Sequence, residues 1–386
     1  MNTFVIESKL PKVSTSIFTI MSKMALDHGA INLSQGFPDF EVDKELIDLV
    51  LQQMQKGHNQ YAPMAGVPAL REQISNLTFD LYGTRYNPET EITVTSGATE
   101  ALFCAITALV QEEDEVLVIE PAYDSYIPAI ELSGGNPVTV SLEYPDYTID
   151  WEKVKKIINQ RTRVIIINSP HNPTGSTLKE SDLQELEKLV ENNDIFVISD
   201  EVYEHILFDG QSHQSIARFP GLVDKSMIIS SFGKTFHATG WKVGYCLAPE
   251  RLTTEFRKVH QYVTFSTITP IQYALAEYMQ DRTRITQLGA YYQQKRDYFL
   301  ELMQDSPFKP LQSEGSYFQL MSYEGISDEA DTDFAARLTR DYGVASIPVS
   351  VFYRNREDHK VLRFCFAKQN ETLEAASKKL RSVRGL

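Results

Sequence analysis

Several polar residues follow the ends of short apolar runs in this 386-residue chain, and their types suit amine and proton chemistry. Lys234 stands in Ser231-Phe-Gly-Lys-Thr, with aromatic and small residues following through Gly240-Trp241-Lys242-Val-Gly244-Tyr245. A lysine in such surroundings is either an exposed loop residue or an amine neutral enough to add to a carbonyl. Asp200 closes an apolar run, with Glu201 and Tyr203 just after it. An acid there is a loop-tethering acceptor or a functional carboxylate. Asn172 lies between two prolines in Ser169-Pro-His-Asn-Pro-Thr-Gly175, which stiffen its loop. It reaches a ring substituent of a ligand or caps the turn. Ser96-Gly97-Ala98-Thr99 is a small-residue turn opening a helix. It is a plain cap, or a set of free N–H groups offered to an anion.

The elements that must position these residues alternate along the chain. The pattern predicts strands over 91–95, 115–119, 137–142, 163–168, 195–199, 227–231 and 243–248. Helices are expected over 98–110, up to about 132, and over 150–159 and 181–192. Near-continuous apolar strands alternating with helices give an α/β fold, a mostly parallel sheet covered on both faces. A helix is expected around 17–26, an irregular Gly/Pro-punctuated loop over 32–40, and some fifty helical residues after Pro249. Strands over 316–322, 345–349 and 361–367, with helices near 334–341 and 373–380, suit a smaller α+β domain. In an open sheet of this class ligands sit at the carboxyl ends of the strands. The helix start, Asn172, Asp200, Tyr203 and Lys234 therefore converge on one edge. Pyridoxal phosphate needs such parts: a phosphate cup, an acid for its ring nitrogen, a hydrogen bond to its ring oxygen, and a lysine for its aldehyde.

Composition narrows the class. Lys plus Arg is 37 and Asp plus Glu is 52, a formal net charge of −15. That argues against a nucleic-acid binder and against an anionic membrane surface. The three cysteines are widely spaced with no CxxC pair, so buried reduced thiols are expected and no metal site. The N-terminus carries a glutamate and a lysine before any apolar region, unlike a secretory signal, and no apolar window spans a membrane. A cytoplasmic protein is expected. Gly233-Lys234-Thr235 lacks the glycine of a nucleotide-binding loop five places earlier, where Ile228 stands. GxGxxG, HExxH and GxSxG motifs are missing as well.

The ordered set of strings resembles the class I pyridoxal-phosphate aminotransferases of fold type I, from about Asn32 to near the C-terminus. Within them it is most similar to the branch of kynurenine and glutamine transaminases and bacterial methionine aminotransferases. The strings are Asn32-Leu-Ser-Gln-Gly-Phe-Pro-Asp-Phe, Gln60-Tyr-Ala-Pro, Asn172-Pro-Thr-Gly, Ser199-Asp-Glu-Val-Tyr, Ser231-Phe-Gly-Lys-Thr, Thr239-Gly-Trp-Lys-Val-Gly and Arg363-Phe-Cys-Phe. The resemblance implies a seven-stranded large domain over 45–280, with a small domain from 1–44 and 281–386. It implies that Lys234 bonds the cofactor aldehyde and later carries a proton, and that Asp200 partners the ring nitrogen. Tyr203 and Asn172 match the ring-oxygen partners, and Tyr123 the aromatic stacked on the ring. Gly97, Ala98, Thr99 and Ser231 match the phosphate cup. Tyr61 matches the tyrosine that reaches the partner subunit's phosphate, implying a homodimer with shared sites. Arg363 matches the arginine that grips the substrate α-carboxylate, beside a backbone contact at Gly36.

Two departures bear on specificity. Many relatives carry arginine eight residues after the lysine, where this chain has Lys242, a point charge without the bidentate fork. Aspartate-type relatives use a further arginine from the partner, yet no arginine lies between Arg257 and Arg282. That stretch instead offers His260, Tyr262 and Phe265, and with Phe18 and Tyr123 as further candidate walls an apolar, aromatic side-chain pocket is expected. Phe18 and Ser266 stand near positions where kynurenine relatives carry a tryptophan and a histidine. The expected activity is a ping-pong transamination from methionine first, with phenylalanine, tyrosine, glutamine and kynurenine as further donors, to a 2-oxo acid. The alternatives are a β-lyase acting on cysteine S-conjugates or cystathionine, and a non-enzymatic regulator. The regulator would be expected to append a DNA-binding domain, for which the segment before Asn32 is short.

Overall fold

Alternate residues of the central strands feed two different apolar clusters, which is why these strands read as unbroken hydrophobic runs. Leu117, Ile119, Ile165, Ile167, Val197 and Ile228 join one cluster. Val116, Val118, Val164, Ile166, Ile198 and Ile229 join another. Successive side chains of a strand point to opposite faces, so both faces of this sheet are covered. The structure is a computed structural model describing residues 6–384. The outermost residues of the expected small domain, 1–5 and 385–386, lie outside the described residues.

The chain opens with α1 (Ile17–Asp27), β1 (Ile31–Asn32), α2 (Lys44–Gln55) and α3 (Pro68–Tyr82). The central part follows: β2 (Ile92–Thr95), α4 (Gly97–Leu109), β3 (Glu115–Glu120), α5 (Tyr126–Leu132), β4 (Asn136–Ser141), α6 (Trp151–Ile157), β5 (Thr162–Asn168), α7 (Glu180–Glu191), β6 (Phe196–Asp200), α8 (Pro220–Val223), β7 (Ser226–Ser231), α9 (Phe232–Thr235) and β8 (Gly244–Leu247). Helices α10 (Glu250–Val263), α11 (Thr269–Tyr278), α12 (Thr283–Thr286) and α13 (Leu288–Leu302) come next. The chain closes with β9 (Lys309–Pro310), β10 (Phe318–Ser322), α14 (Asp331–Asp341), β11 (Val344–Ala345), β12 (Ile347–Pro348), β13 (Val361–Cys365) and α15 (Asn370–Leu380).

Seven strands form one sheet in the order β2-β8-β7-β6-β5-β3-β4. Only β8 runs against its neighbours; the remaining pairs are parallel. A second sheet, β12-β13-β10-β9, is antiparallel. An aromatic-rich cluster including Phe299, Phe308, Phe334 and Phe364 packs beside it. Strand β1 pairs in parallel with β11, Ile31 opposite Val344, so an early segment is seated among the last elements.

The sequence pattern does not single out α2 and α3, nor the one-turn α8 and α9. Helix α2 is capped by Asp43, whose side chain accepts from the Glu45 N–H. Helix α3 starts with Pro68 in its first turn and stops at Gly83, φ 80°. Both add leucines and isoleucines to the first cluster. The expected strand over 345–349 is broken at Ser346: its halves pair with different partners, β1 and β13. The expected strand over 361–367 ends at Cys365, where the backbone N–H turns to Leu33.

Candidate active site

Strand register brings the chemistry-bearing residues together. Asn168 ends β5 directly opposite Asp200, the end of β6. Ser231 ends β7 opposite Gly244, which on its other side faces Thr95, the end of β2. The chain thus leaves β2, β5, β6 and β7 at one sheet edge. A cavity of about 170 Å³ opens there, and ten of the expected residues line it.

One end of the cavity suits an anion. It is lined by Gly97, Ala98, Thr99, Ser231 and Lys242. The Ser96 N–H donates to Glu100 Oε2 at 3.0 Å, which leaves the next N–H groups of α4 for the cavity. Gly244 lets β8 lie against this helix start: a Cβ there would stand 2.9 Å from Ala98 N. Lys242 adopts a left-handed backbone, φ 53°, and brings its amine to within 3.3 Å of where a Gly97 Cβ would be. A helix N-terminus and an ammonium together favour a dianion such as phosphate.

The other end is lined by Tyr123, Asn172, Asp200, Tyr203 and Lys234. Asp200 is buried, and Oδ2 accepts a 2.5 Å hydrogen bond from the Tyr126 hydroxyl. Burial lifts its carboxyl to about 6, against the opposing pull of Tyr126, the Val202 N–H and Lys234. A carboxylate so placed calls for a cation, which a protonated ring nitrogen would supply. Asn168 ties the two loops together: Nδ2 donates to the Asp200 carbonyl at 2.8 Å, and Oδ1 accepts from the Asn172 N–H at 2.8 Å.

Lys234 donates from Nζ to the Gly36 carbonyl at 3.1 Å and to the Tyr317 hydroxyl at 2.9 Å. Tyr317 in turn donates to the same carbonyl at 2.5 Å. Burial, reinforced by the charges of Arg363 and Lys242, lowers the amine to about 8. A fraction of it is therefore neutral near neutral pH, as addition to a carbonyl requires.

Arg363, on β13, donates to Asn172 Oδ1 at 2.7 Å and to the Ser34 carbonyl at 2.9 Å. Its Nε is buried with no partner. Phe318, Phe18 and Phe352 surround its guanidinium carbon, their ring centres 3.9, 5.2 and 5.6 Å away. Burial lowers Arg363 to about 10, which leaves it cationic. A buried guanidinium that reaches the cavity through Asn172 is a receptor for a carboxylate.

Of the expected residues, Gly36, Phe18 and Arg363 adjoin the cavity through these contacts. Tyr61 and Phe265 do not line it. They meet edge to face at 5.4 Å on an outer surface, 83% and 48% exposed. Four residues the sequence reading did not name are present: Tyr126, Asn168, Tyr317 and Phe352. Asn168 had a visible signal, a polar strand end beside that of Asp200. Tyr126 opens α5 and meets Tyr123, in the loop before it, edge to face at 5.7 Å. Tyr317 and Phe352 have no local signal, because they reach the site from the distal part of the chain. The donor set fits pyridoxal phosphate: the helix start and Lys242 for its phosphate, Asp200 for its ring nitrogen, and Lys234 for its aldehyde. A Cβ at Gly97 or Gly244 would fill the cradle.

Comparison with known proteins places the geometry in context. The sequence profile described as aminotransferase class I and II matches residues 28–380. The chain is 47% identical to the methionine aminotransferase of Escherichia coli over 383 residues, 99% of each chain. A solved Escherichia coli structure, reported as identifying a methionine aminotransferase function, superposes with TM-score 0.96 at 47% identity and covers 98% of this chain and 99% of its own. N-succinyldiaminopimelate aminotransferase from Mycobacterium tuberculosis superposes with TM-score 0.94 at 35% identity, over 98% and 100% of the two chains. Human kynurenine–oxoglutarate transaminase 1 is 34% identical over 396 residues, 93% of each chain.

Proposed function

The chain belongs to the class I and II aminotransferases, enzymes that depend on pyridoxal phosphate, and from this we propose that it moves the amino group of methionine to a 2-oxo acid by a ping-pong cycle. The observation that carries the substrate is Arg363 walled by Phe18, Phe318 and Phe352. A carboxylate grip set among aromatic rings suits an α-carboxylate on an uncharged side chain, and a thioether packs well on aromatic faces. Phenylalanine, tyrosine, glutamine and kynurenine are further donors on the same grounds.

When bound, the cofactor supplies an electron sink for the bond to the substrate's α-carbon. The chain's own residues do the rest. Gly97, Ala98, Thr99, Ser231 and Lys242 hold the phosphate end. Asp200, kept in place by Tyr126 and the Val202 N–H, stabilises positive charge on the ring nitrogen. Tyr203 and Asn172 would hold the ring oxygen, and Tyr123 would pack on the ring. Arg363 takes the α-carboxylate on its guanidinium, with the Gly36 backbone beside it. Lys234 Nζ removes the α-proton and returns it. Its lowered affinity for protons lets it serve as base and then as acid near neutral pH.

The exposed pairing of Tyr61 with Phe265 supports a homodimer in which Tyr61 completes the partner's phosphate site. The pairing of β1 with β11 supports a division into a cofactor-holding domain, 45–280, and a second domain from 1–44 and 281–386. Among the described residues no helix is long and apolar enough to cross a membrane, and we place the enzyme in the cytoplasm.

Titrating the holoenzyme with methionine, with no oxo acid present, tests the assignment. The visible absorbance of the bound cofactor should convert stoichiometrically, with one 2-oxo acid released per site. An unchanged spectrum with methionine would remove methionine as the donor. Pyruvate and ammonia formed from a cysteine conjugate without any acceptor would favour the lyase.

A further inference from the structure

Outside the cavity lies a buried histidine–glutamate pair that the reaction does not use. His260, in the last turn of α10, is fully buried, and Nδ1 stands 2.8 Å from Glu100 Oε1 in the first turn of α4. Its Nε2 stands 3.1 Å from the Met64 carbonyl. A carbonyl only accepts, so Nε2 is the donor on that side, and Nδ1 faces the carboxylate. Glu100 also accepts from Cys104 Sγ at 2.9 Å and, through Oε2, from the Ser96 N–H. Burial and the neighbouring Glu100 raise the Cys104 thiol, keeping it a donor. The three side chains have the composition of a metal site, their ligand atoms within 4.8 Å of one another. Each of those atoms is already engaged, which makes the group a closed hydrogen-bond network.

The two ends of this network matter. Ser96 immediately precedes Gly97, Ala98 and Thr99, the anion cup of this chain. Met64 belongs to the segment that carries Tyr61. That segment is fixed on all sides: Thr269 Oγ1 donates to the Gln60 carbonyl, the Val94 N–H to the Ala65 carbonyl, and the Val67 N–H to Gln272 Oε1. Tyr61 is therefore exposed but held. We propose that His260 is a positioning residue that joins this chain's own phosphate cup to the loop it lends to its partner, so that one buried imidazole sets the geometry of both sites of the dimer. The inference rests on the shared-site dimer proposed above.

A double-mutant cycle on cofactor release tests it, read as loss of the bound cofactor's visible absorbance after dilution of the holoenzyme. Tyr61→Phe should speed release about tenfold, and His260→Gln, which keeps one donor, by a similar factor. The double variant should fall well short of the product of the two single effects, because part of what His260→Gln removes is the support of Tyr61. Glu100→Gln, paired with Tyr61→Phe in the same way, should repeat the non-additivity and serves if His260→Gln does not fold. Multiplicative effects, about a hundredfold in the double variant, overturn the coupling and leave the shared site standing. Release from Tyr61→Phe at the wild-type rate, with the dimer intact, overturns the shared site and the coupling together. A merely structural role for His260 would lower thermal stability without this dependence on Tyr61.

Discussion

At Asp200 the protein keeps a charge where burial disfavours it. The carboxyl rises from 3.8 to about 6 on folding, so the folded state binds that proton more tightly than the unfolded chain does. The cofactor-free enzyme should lose stability as pH rises from about 4 to about 6 and regain none above. The penalty at neutral pH is at most about 3 kcal/mol, at about 1.4 kcal/mol per tenfold. Asp200→Asn should raise the stability of the cofactor-free protein by ~1–2 kcal/mol at pH 7.5 once a weakened hydrogen bond is subtracted. The gain should vanish below pH 4, while cofactor binding weakens; thermal unfolding across pH checks the first part and cofactor titration the second. Arg363→Lys should raise KM for methionine by about 10–100-fold with a smaller effect on kcat, since an ammonium cannot donate in parallel to a carboxylate. Lys234→Ala should cut turnover at least about a thousandfold in a steady-state assay, its general-base role being lost. Lys234, Asp200 and Asn172 were legible in the sequence because each follows an apolar run that had to be a strand. Tyr317 was not: its hydroxyl meets Lys234 Nζ from 83 positions further along, and no spacing rule links them.

The elements show the same contrast. The central strands and the helices between them were readable from β-branched runs and 3.6-residue patterns, because burial on both faces leaves little room for polar residues. The β1–β11 pairing was not readable, since two-residue strands carry no periodicity. The close approach of β8 to α4 was invisible too, because it is a property of an absent side chain. A Cβ at Gly244 would stand 2.6 Å from the Ser230 carbonyl oxygen, 2.9 Å from Ala98 N and 3.0 Å from the Gly97 carbonyl carbon. All three are backbone atoms, so helix and strand must separate. Gly244→Ala should cost about 1–3 kcal/mol of stability, and it should weaken cofactor affinity more than the unfolding data alone would suggest. Equilibrium unfolding alongside cofactor titration separates the two effects, and wild-type cofactor affinity in this variant would place the anion elsewhere.

For the whole molecule the exposed side chains around Tyr61 set the prediction. Tyr61, Tyr262, Phe265 and Ile268 are all exposed on the single chain, more apolar surface than a free monomer needs there. Sedimentation equilibrium should return twice the chain mass. Phe265→Asp should cost the isolated fold little, its ring being half exposed, yet it should split the dimer and release cofactor. A monomeric variant that retains cofactor at the wild-type affinity would show that each site is complete within one chain. The seating of β1 beside β11 also has a temporal side. Ile31 meets a partner more than three hundred residues further along. A ribosome adding about 5–20 residues per second delivers that partner roughly a quarter of a minute to a minute later. Throughout that interval the Gly36 carbonyl has no seat opposite Lys234, and Arg363 is among the last side chains to emerge. A nascent chain therefore has its lysine and phosphate cup in hand well before it has a grip for an amino acid.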